Sequence, residues 1–372
     1  MKRLIGPLLA LVLLVGVGFA GWRSYSQNAG QETTRLEAAK VEVVRGLIGS
    51  EKEGFFNDPR LAAVLKKNGL VVQFEKAGSR AIAQRGDLKG FDFAHPAGAP
   101  AALKIQQTAK AQQVFTPFFT PMVIASWKPL LPVLEREGLV RKEADSYYLI
   151  NIPKLVSLME QGVRWKDLAG NTAYAVSKSV LVSSTDVRTS NSGAMYLALA
   201  SYVANGSNVV QSDAEMQKVL PLMRSIFLKQ GFQESSSAGP FEDYVSMGMG
   251  KAPLVMIYES QFLEYLARQA AAKLPPNPDM VLLYPQPTIF SKHVFVGISP
   301  RGVKLGQLLE TDPELQALAV EYGYRTNVQT LFAKARQDKH WQVPGTLVDV
   351  IDPPSLEVLE RMIAELEKNY AK

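Results

Sequence analysis

Three short loops carry the residue types that could hold a small solute. Around Ser50, Ser79 and Ser192, a small or hydroxyl residue follows a strand-like run and opens a helix-like one. Backbone amides at a helix start have no intrahelical acceptor, and the helix dipole adds partial positive charge there. A hydroxyl adds a neutral donor, and a small residue lets a ligand approach. This chemistry suits an anion or a carboxylate. Arg80 and Arg188 could form two-pronged pairs with an oxyanion, or could simply be solvated. Glu51 and Lys52 either contact the ligand or pair with each other. Thr189, Ser190 and Asn191 crowd the third loop, and Thr120 lies on an apolar strand leaving the first half of the chain. Glu259 follows a short apolar strand, where it would take a ligand amine or anchor a hinge. Tyr284 belongs to a cleft wall or to the core. A Ser before a helix is also an ordinary cap, so each loop has that simpler reading.

The usual catalytic signatures are missing. Neither a G-x-x-x-x-G-K-[ST] loop nor a G-x-G-x-x-G loop occurs, and G-x-S-x-G and H-E-x-x-H are absent. Gly248-Met249-Gly250-Lys251 is a turn. Tyr174-x-x-x-Lys178 lies in a strand-like stretch without a nucleotide loop. His95, His293 and His340 are too far apart for a short metal motif, and His95 reads as structural. With no cysteine there is no disulfide, thiolate site or cysteine nucleophile. The expectation is a binding protein rather than an enzyme, with no cofactor and no metal.

The elements that must position these loops alternate. Val41–Ile48, Leu70–Phe74 and Phe91–Ala94 read as strands, each followed by a helix. Asp58-Pro59 starts one helix and Gly69 ends it. Phe115–Trp127 reads as a strand despite Pro117 and Pro121. Thr172–Ser183 is strand-like, helices follow from Gly193 and from Met216, and Leu254–Tyr258, Met280–Tyr284 and Val294–Ile298 are further strands. Asp312-Pro313 and Asp352-Pro353-Pro354-Ser355 cap two late helices, the last with Leu356, Leu359, Ile363 and Leu366 on one face. Strand–helix alternation predicts an α/β fold, with ligand loops at the strand C-terminal ends.

The 372 residues, 47% hydrophobic and 20% charged, fit a folded protein of two domains or one large split one. The net charge is +6, of which Lys2, Arg3 and Arg23 flank an N-terminal apolar run and leave +3 for the body. Acidic and basic residues alternate, which argues against a nucleic-acid surface. Lys2-Arg3 precedes the uncharged stretch from Leu4 to Trp22. With Gly18-Phe19-Ala20 it reads as a cleaved signal peptide, and with Arg23 as an uncleaved anchor. Both place the body on the periplasmic or extracellular side of the membrane.

Taken together, several segments resemble the type II periplasmic solute-binding proteins, nearest the molybdate/sulfate-like branch. They are Gly49-Ser50, Gly78-Ser79-Arg80-Ala81-Ile82-Ala83-Gln84, Ser190-Asn191-Ser192-Gly193, Met256-Ile257-Tyr258-Glu259-Ser260, Tyr284-Pro285, Gln316-Ala317-Leu318-Ala319 and Glu321-Tyr322-Gly323-Tyr324. The match spans roughly Val41 to Arg325. The resemblance implies two lobes, each with a mixed central sheet, joined by a hinge. The expected organisation is a signal or anchor over 1–26, a tether over 27–40, lobe 1 over 41–122, lobe 2 over 123–258, a return to lobe 1 over 259–336 and a tail over 337–372. It implies an extracytoplasmic receptor for a small solute, serving an ABC-type importer through a permease partner. The anchor and tail support a second reading, a membrane-anchored interaction or scaffold protein on the same fold.

Overall fold

The computed structural model describes residues 41–111, 113–143 and 146–368. The N-terminal apolar segment and the tether lie outside the described residues. Among the described residues, no helix is long and apolar enough to cross a membrane.

The chain alternates as its sequence suggests. Strand β1 (Glu42–Gly49) leads through a 3-10 turn into α1 (Glu53–Phe56) and α2 (Pro59–Lys67). Asp58 caps α2 by accepting from the Arg60 amide at 2.7 Å. Then come β2 (Leu70–Ala77), α3 (Ser79–Ala83), β3 (Phe93–His95), α4 (Ala99–Ala109) and the long β4 (Gln113–Trp127). The second lobe follows with α5 (Leu131–Arg136), β5 (Val140–Glu143), β6 (Tyr147–Asn151), α6 (Ile152–Glu160), α7 (Asn191–Ala204), α8 (Asp213–Leu228), α9 (Ala238–Met247) and β7 (Val255–Tyr258). The remainder is α10 (Glu259–Ala271), β8 (Met280–Gln286), β9 (Thr288–Gly297), α11 (Pro300–Thr311), α12 (Pro313–Glu321), α13 (Gln329–Asp338), β10 (Val350–Ile351) and α14 (Leu356–Glu367).

Two mixed sheets share one strand. The first half of β4 pairs antiparallel with β9, with Thr120 opposite Ser291, in a sheet ordered β2-β1-β3-β9-β4. Its second half pairs antiparallel with β7 and β8, and the second sheet continues β8-β6-β5. The register shifts between Phe115 and Phe118, next to Pro117, which has no amide to donate. One strand therefore runs through both lobes.

Alternation along β1 sends Val44 and Ile48 to one face and Leu47 to the other. The first face packs on Phe55, Phe118, Phe295 and Leu305, and the second on Ile82, Ala102 and Ile105. The second lobe has one large core, which includes Leu149, Leu197, Leu220, Phe227 and Ile257. The buried α14 residues Leu359, Met362, Ile363 and Leu366 belong to that same core.

The strand expected over Thr172–Ser183 does not form. Val180 and Val182 are buried, but the segment makes only isolated bridges, Arg164 to Ser179 and Ser183 to Val255. Its alternation reflects packing on one side without a continuous hydrogen-bonded neighbour. The β5–β6 hairpin and helices α9, α11 and α13 carry weaker patterns and went unread in the sequence.

A buried cation fixes the crossing between the lobes. Arg325 donates to Glu259 through Nε (2.8 Å) and Nη2 (2.9 Å), and Tyr284 donates its hydroxyl to the same carboxylate at 2.6 Å. Arg325 also donates to the carbonyls of Pro344 and Gly345 and lies over the Phe332 ring, 4.1 Å from its centroid. Glu259 is fully buried. Removing one partner strands the other charge, whereas removing both does not. Arg325→Met should therefore cost about 3–5 kcal/mol in a denaturant melt, and adding Glu259→Gln should recover part of that loss. A double variant no more stable than the single one would refute this account of the pair.

Candidate functional site

The first loop sits on a buried polar floor. Glu51 and the fully buried Lys52 form an ion pair, and the Lys52 amine also donates to His293 Nδ1 at 3.0 Å. His95 Nε2 lies 3.1 Å from the His293 carbonyl. Burial, with the nearby Lys52 charge, holds both histidines well below the usual imidazole range, so both are neutral. Burial also lowers the Lys52 amine, and Glu51 opposes that shift. Ser50 Oγ is shielded from solvent and has no hydrogen-bond partner.

The second and third loops are not open to a solute; they bind each other. The Arg80 and Ala81 amides, at the start of α3, both donate to the Thr189 carbonyl, at 2.9 and 3.0 Å. Gln84 Nε2 donates to the Arg188 carbonyl at 3.3 Å. Ser79 Oγ accepts from the Ala97 amide at 2.8 Å. The Ser192 hydroxyl pairs with Thr185 at 2.7 Å and with Ser190 at 3.1 Å. The Arg188 guanidinium is held by Asp186, and that of Arg80 by Glu360. The donors expected to face an anion are thus engaged within the protein. Thr120 Oγ1 accepts from the Ser260 amide at 3.1 Å, while Glu259 and Tyr284 belong to the crossing described above.

Asn191 is the residue that sequence reasoning undervalued. Its Nδ2 lies 3.1 Å from the Ala97 carbonyl, the Tyr258 hydroxyl and Ser291 Oγ. It knits the second-lobe loop to the first lobe. The signal was its place just before Ser192-Gly193, at a helix start. Gly98 lies directly under it, and a Cβ at Gly98 would overlap the Asn191 amide.

Open space persists at one end of the interlobe contact. A cavity of about 300 Å³ is lined by Ser50, Glu51, Glu53 and Gly54 from the first lobe. Phe241 and Glu242 on α9, with Gln261, Glu264 and Arg268 on α10, close its other side. The helix starts at Glu53 and at Glu259 already carry first-turn acids, which absorb the dipoles that would otherwise favour an anion. Arg268 stands 3.8 Å from Glu264, and Lys76 pairs with Glu53 at 2.6 Å. Burial raises the Glu264 carboxyl to about 6; Arg268 opposes that rise, while Glu51 and Glu53 add to it. A wider groove of about 770 Å³, beside Tyr322 and Trp341, adjoins the cavity through Glu264 and Arg268. No group of three or more potential metal ligands occurs among the described residues.

Two substitutions test this geometry. Gly78 has φ −61° and ψ 140°, which alanine tolerates, but its Cβ would meet the Thr189 and Ser235 carbonyls of the opposite lobe. Gly78→Ala should hold the lobes apart and raise the radius of gyration in solution scattering; an unchanged radius would show that the loops do not meet there. The raised Glu264 carboxyl means that the folded state prefers it protonated, so its charge costs stability above pH 6. Glu264→Gln should therefore stabilise the protein by about 2 kcal/mol at pH 7.5, with the gain fading to nothing near pH 4.5. A gain independent of pH would contradict this.

No family model matches the sequence, and no curated protein is similar to it. Solved structures are similar in fold. Iron-bound HitA from Pseudomonas aeruginosa matches with a TM-score of 0.54 and 11% identity, over 89% of this chain and 99% of that one. A periplasmic thiamin-binding protein matches at 0.52 and 12%, over 88% and 96%. The sulfate-binding protein SubI from Mycobacterium tuberculosis matches at 0.50 and 11%, over 82% and 93%. The chain has the type II periplasmic-binding-protein fold. SubI and the thiamin protein are described as binding proteins, and HitA as iron-bound.

Proposed function

We propose that this chain is an extracytoplasmic receptor that closes its two lobes over a small solute carrying an amine or ammonium group, and that an ABC-type importer receives the closed form. The supporting observation is the cavity of about 300 Å³ into which Ser50, Glu51 and Glu53 of the first loop, Glu242 on α9 and Glu264 on α10 converge. Iron, thiamin and sulfate are named for proteins of this fold, so the fold leaves the ligand's charge open. The class has to come from this chain's own residues. Glu264 is desolvated and faces Glu51 and Glu53, and a bound cation would relieve that repulsion. Phe241 supplies an apolar and aromatic wall beside it. An anion would instead meet carboxylates while the Arg80 and Ala81 amides are engaged with Thr189.

A second reading, an interaction or scaffold protein on this fold, is favoured by the direct hydrogen bonds between the loops of the two lobes. One experiment separates the two. The full chain is melted with a panel of amino acids, polyamines and quaternary ammonium compounds, alongside sulfate, molybdate and simple carboxylates. At pH 7.5 an amine should raise the melting temperature in proportion to the logarithm of its concentration. The shift should shrink as the pH falls through about 6 and Glu264 is protonated. Shifts with oxyanions alone would overturn the ligand class. No shift with any compound at millimolar concentration would overturn the receptor reading in favour of the scaffold.

A further inference from the structure

The last helix lies across both lobes, and its two edges differ in kind. Its apolar face, Val358, Leu359, Met362, Ile363 and Leu366, is buried in the second-lobe core. On that side Arg361 also pairs with Asp213 at 2.7 Å and Glu365 with Arg224 at 3.7 Å. Toward the first lobe the helix offers a charged contact. Glu360 accepts from Arg80 at 2.5 and 3.0 Å, and Lys104 on α4 lies 3.5 Å from the same carboxylate. The Arg80 side chain is only 5% exposed although it stands at the mouth of the lobe contact, because α14 covers it. The chain reaches α14 from α13 through β10, which pairs with Thr288 and Ile289 at the start of β9. The strap is thus anchored where the lobes cross and again on the second lobe.

We propose that α14 is a conformational latch: it moves as part of the second lobe, and the Arg80–Glu360 bridge is a bond that must break, with the direct loop contacts, for the lobes to open. A large apolar face does not leave its core for a hinge motion, whereas a bridge at the edge of a helix can form and break. Opening would return Arg80 to the cleft and expose the α3 amides together with it.

The chain has no cysteine, so Lys66→Cys and Lys166→Cys, exposed positions on the two lobes, give a clean pair for spin labels. Distances measured on the full chain without added solute keep this test independent of the ligand reading. The parent should show one short distance. Glu360→Gln should raise the ratio of open to closed forms by about tenfold, Arg80→Gln should do the same, and the double variant should add nothing further. Arg361→Gln, whose bridge lies within the second lobe, should leave the distances unchanged. Unchanged distances in Glu360→Gln, equal opening in Arg361→Gln, or a parent that is already open would each overturn the proposal.

Discussion

The Arg325 guanidinium is the point on which the arrangement of the lobes depends. It joins the start of α10, through Glu259, to the C-terminal segment, through the carbonyls of Pro344 and Gly345, and the same Glu259 carboxylate accepts from Tyr284 of β8. Its own backbone pairs with Phe119 in both directions, at the middle of the strand common to the two sheets. A buried charge in such a place is costly unless paired, and here the Glu259 carboxylate, two carbonyls and the Phe332 ring face receive it. The pairing holds the end of β7 and the start of α10 against the segment that leads to β10.

The loops that meet do so through main-chain groups. The Thr189 carbonyl takes the Arg80 and Ala81 amides in the first turn of α3, so one lobe supplies the acceptor that caps a helix of the other. Gly78 and Gly98 are the positions where this closeness requires glycine, since any Cβ there would collide with the opposite loop. Helix starts on this fold are places where a small anion can be held. In this chain the α3 amides are engaged by the Thr189 carbonyl, and under the proposed function the solute would be selected in the acidic space around Ser50 and Glu264.

Much of the frame was legible in the sequence. The alternation of β1, α2, β2, α3 and β3 was readable because Asp58-Pro59 and Gly69 mark helix ends and β1 and β3 are short apolar runs. The two-lobed fold followed from the order of loop motifs. The roles of individual loop residues were not legible, for a physical reason. A serine before a helix looks the same whether it lines a cavity with its hydroxyl unpartnered, as Ser50 does, or meets an amide of its own lobe, as Ser79 does with Ala97. Which applies depends on how closely the lobes approach, and that distance is set by Gly78, Gly98 and Asn191 acting across the gap. Likewise nothing local to Arg80 names Glu360, 280 residues away, as its partner.

The division of labour in α14 follows from how the two kinds of interaction vary with distance and direction. Apolar burial is proportional to area and indifferent to orientation, so five buried side chains keep the helix seated on the second lobe through any modest rotation. A bidentate guanidinium–carboxylate contact is directional and is lost within a few ångströms. Placing the first kind of contact on one lobe and the second on the other gives a strap with a permanent end and a releasable end. The same reasoning places the energetic threshold for opening at the lobe contact itself. Separating the lobes must break the Arg80 bridge, the Thr189 cap on α3 and the Asn191 bonds together, and each of these groups then regains water. A solute that fills the acidic cavity adds to the closed side of that balance without needing to contact any of them.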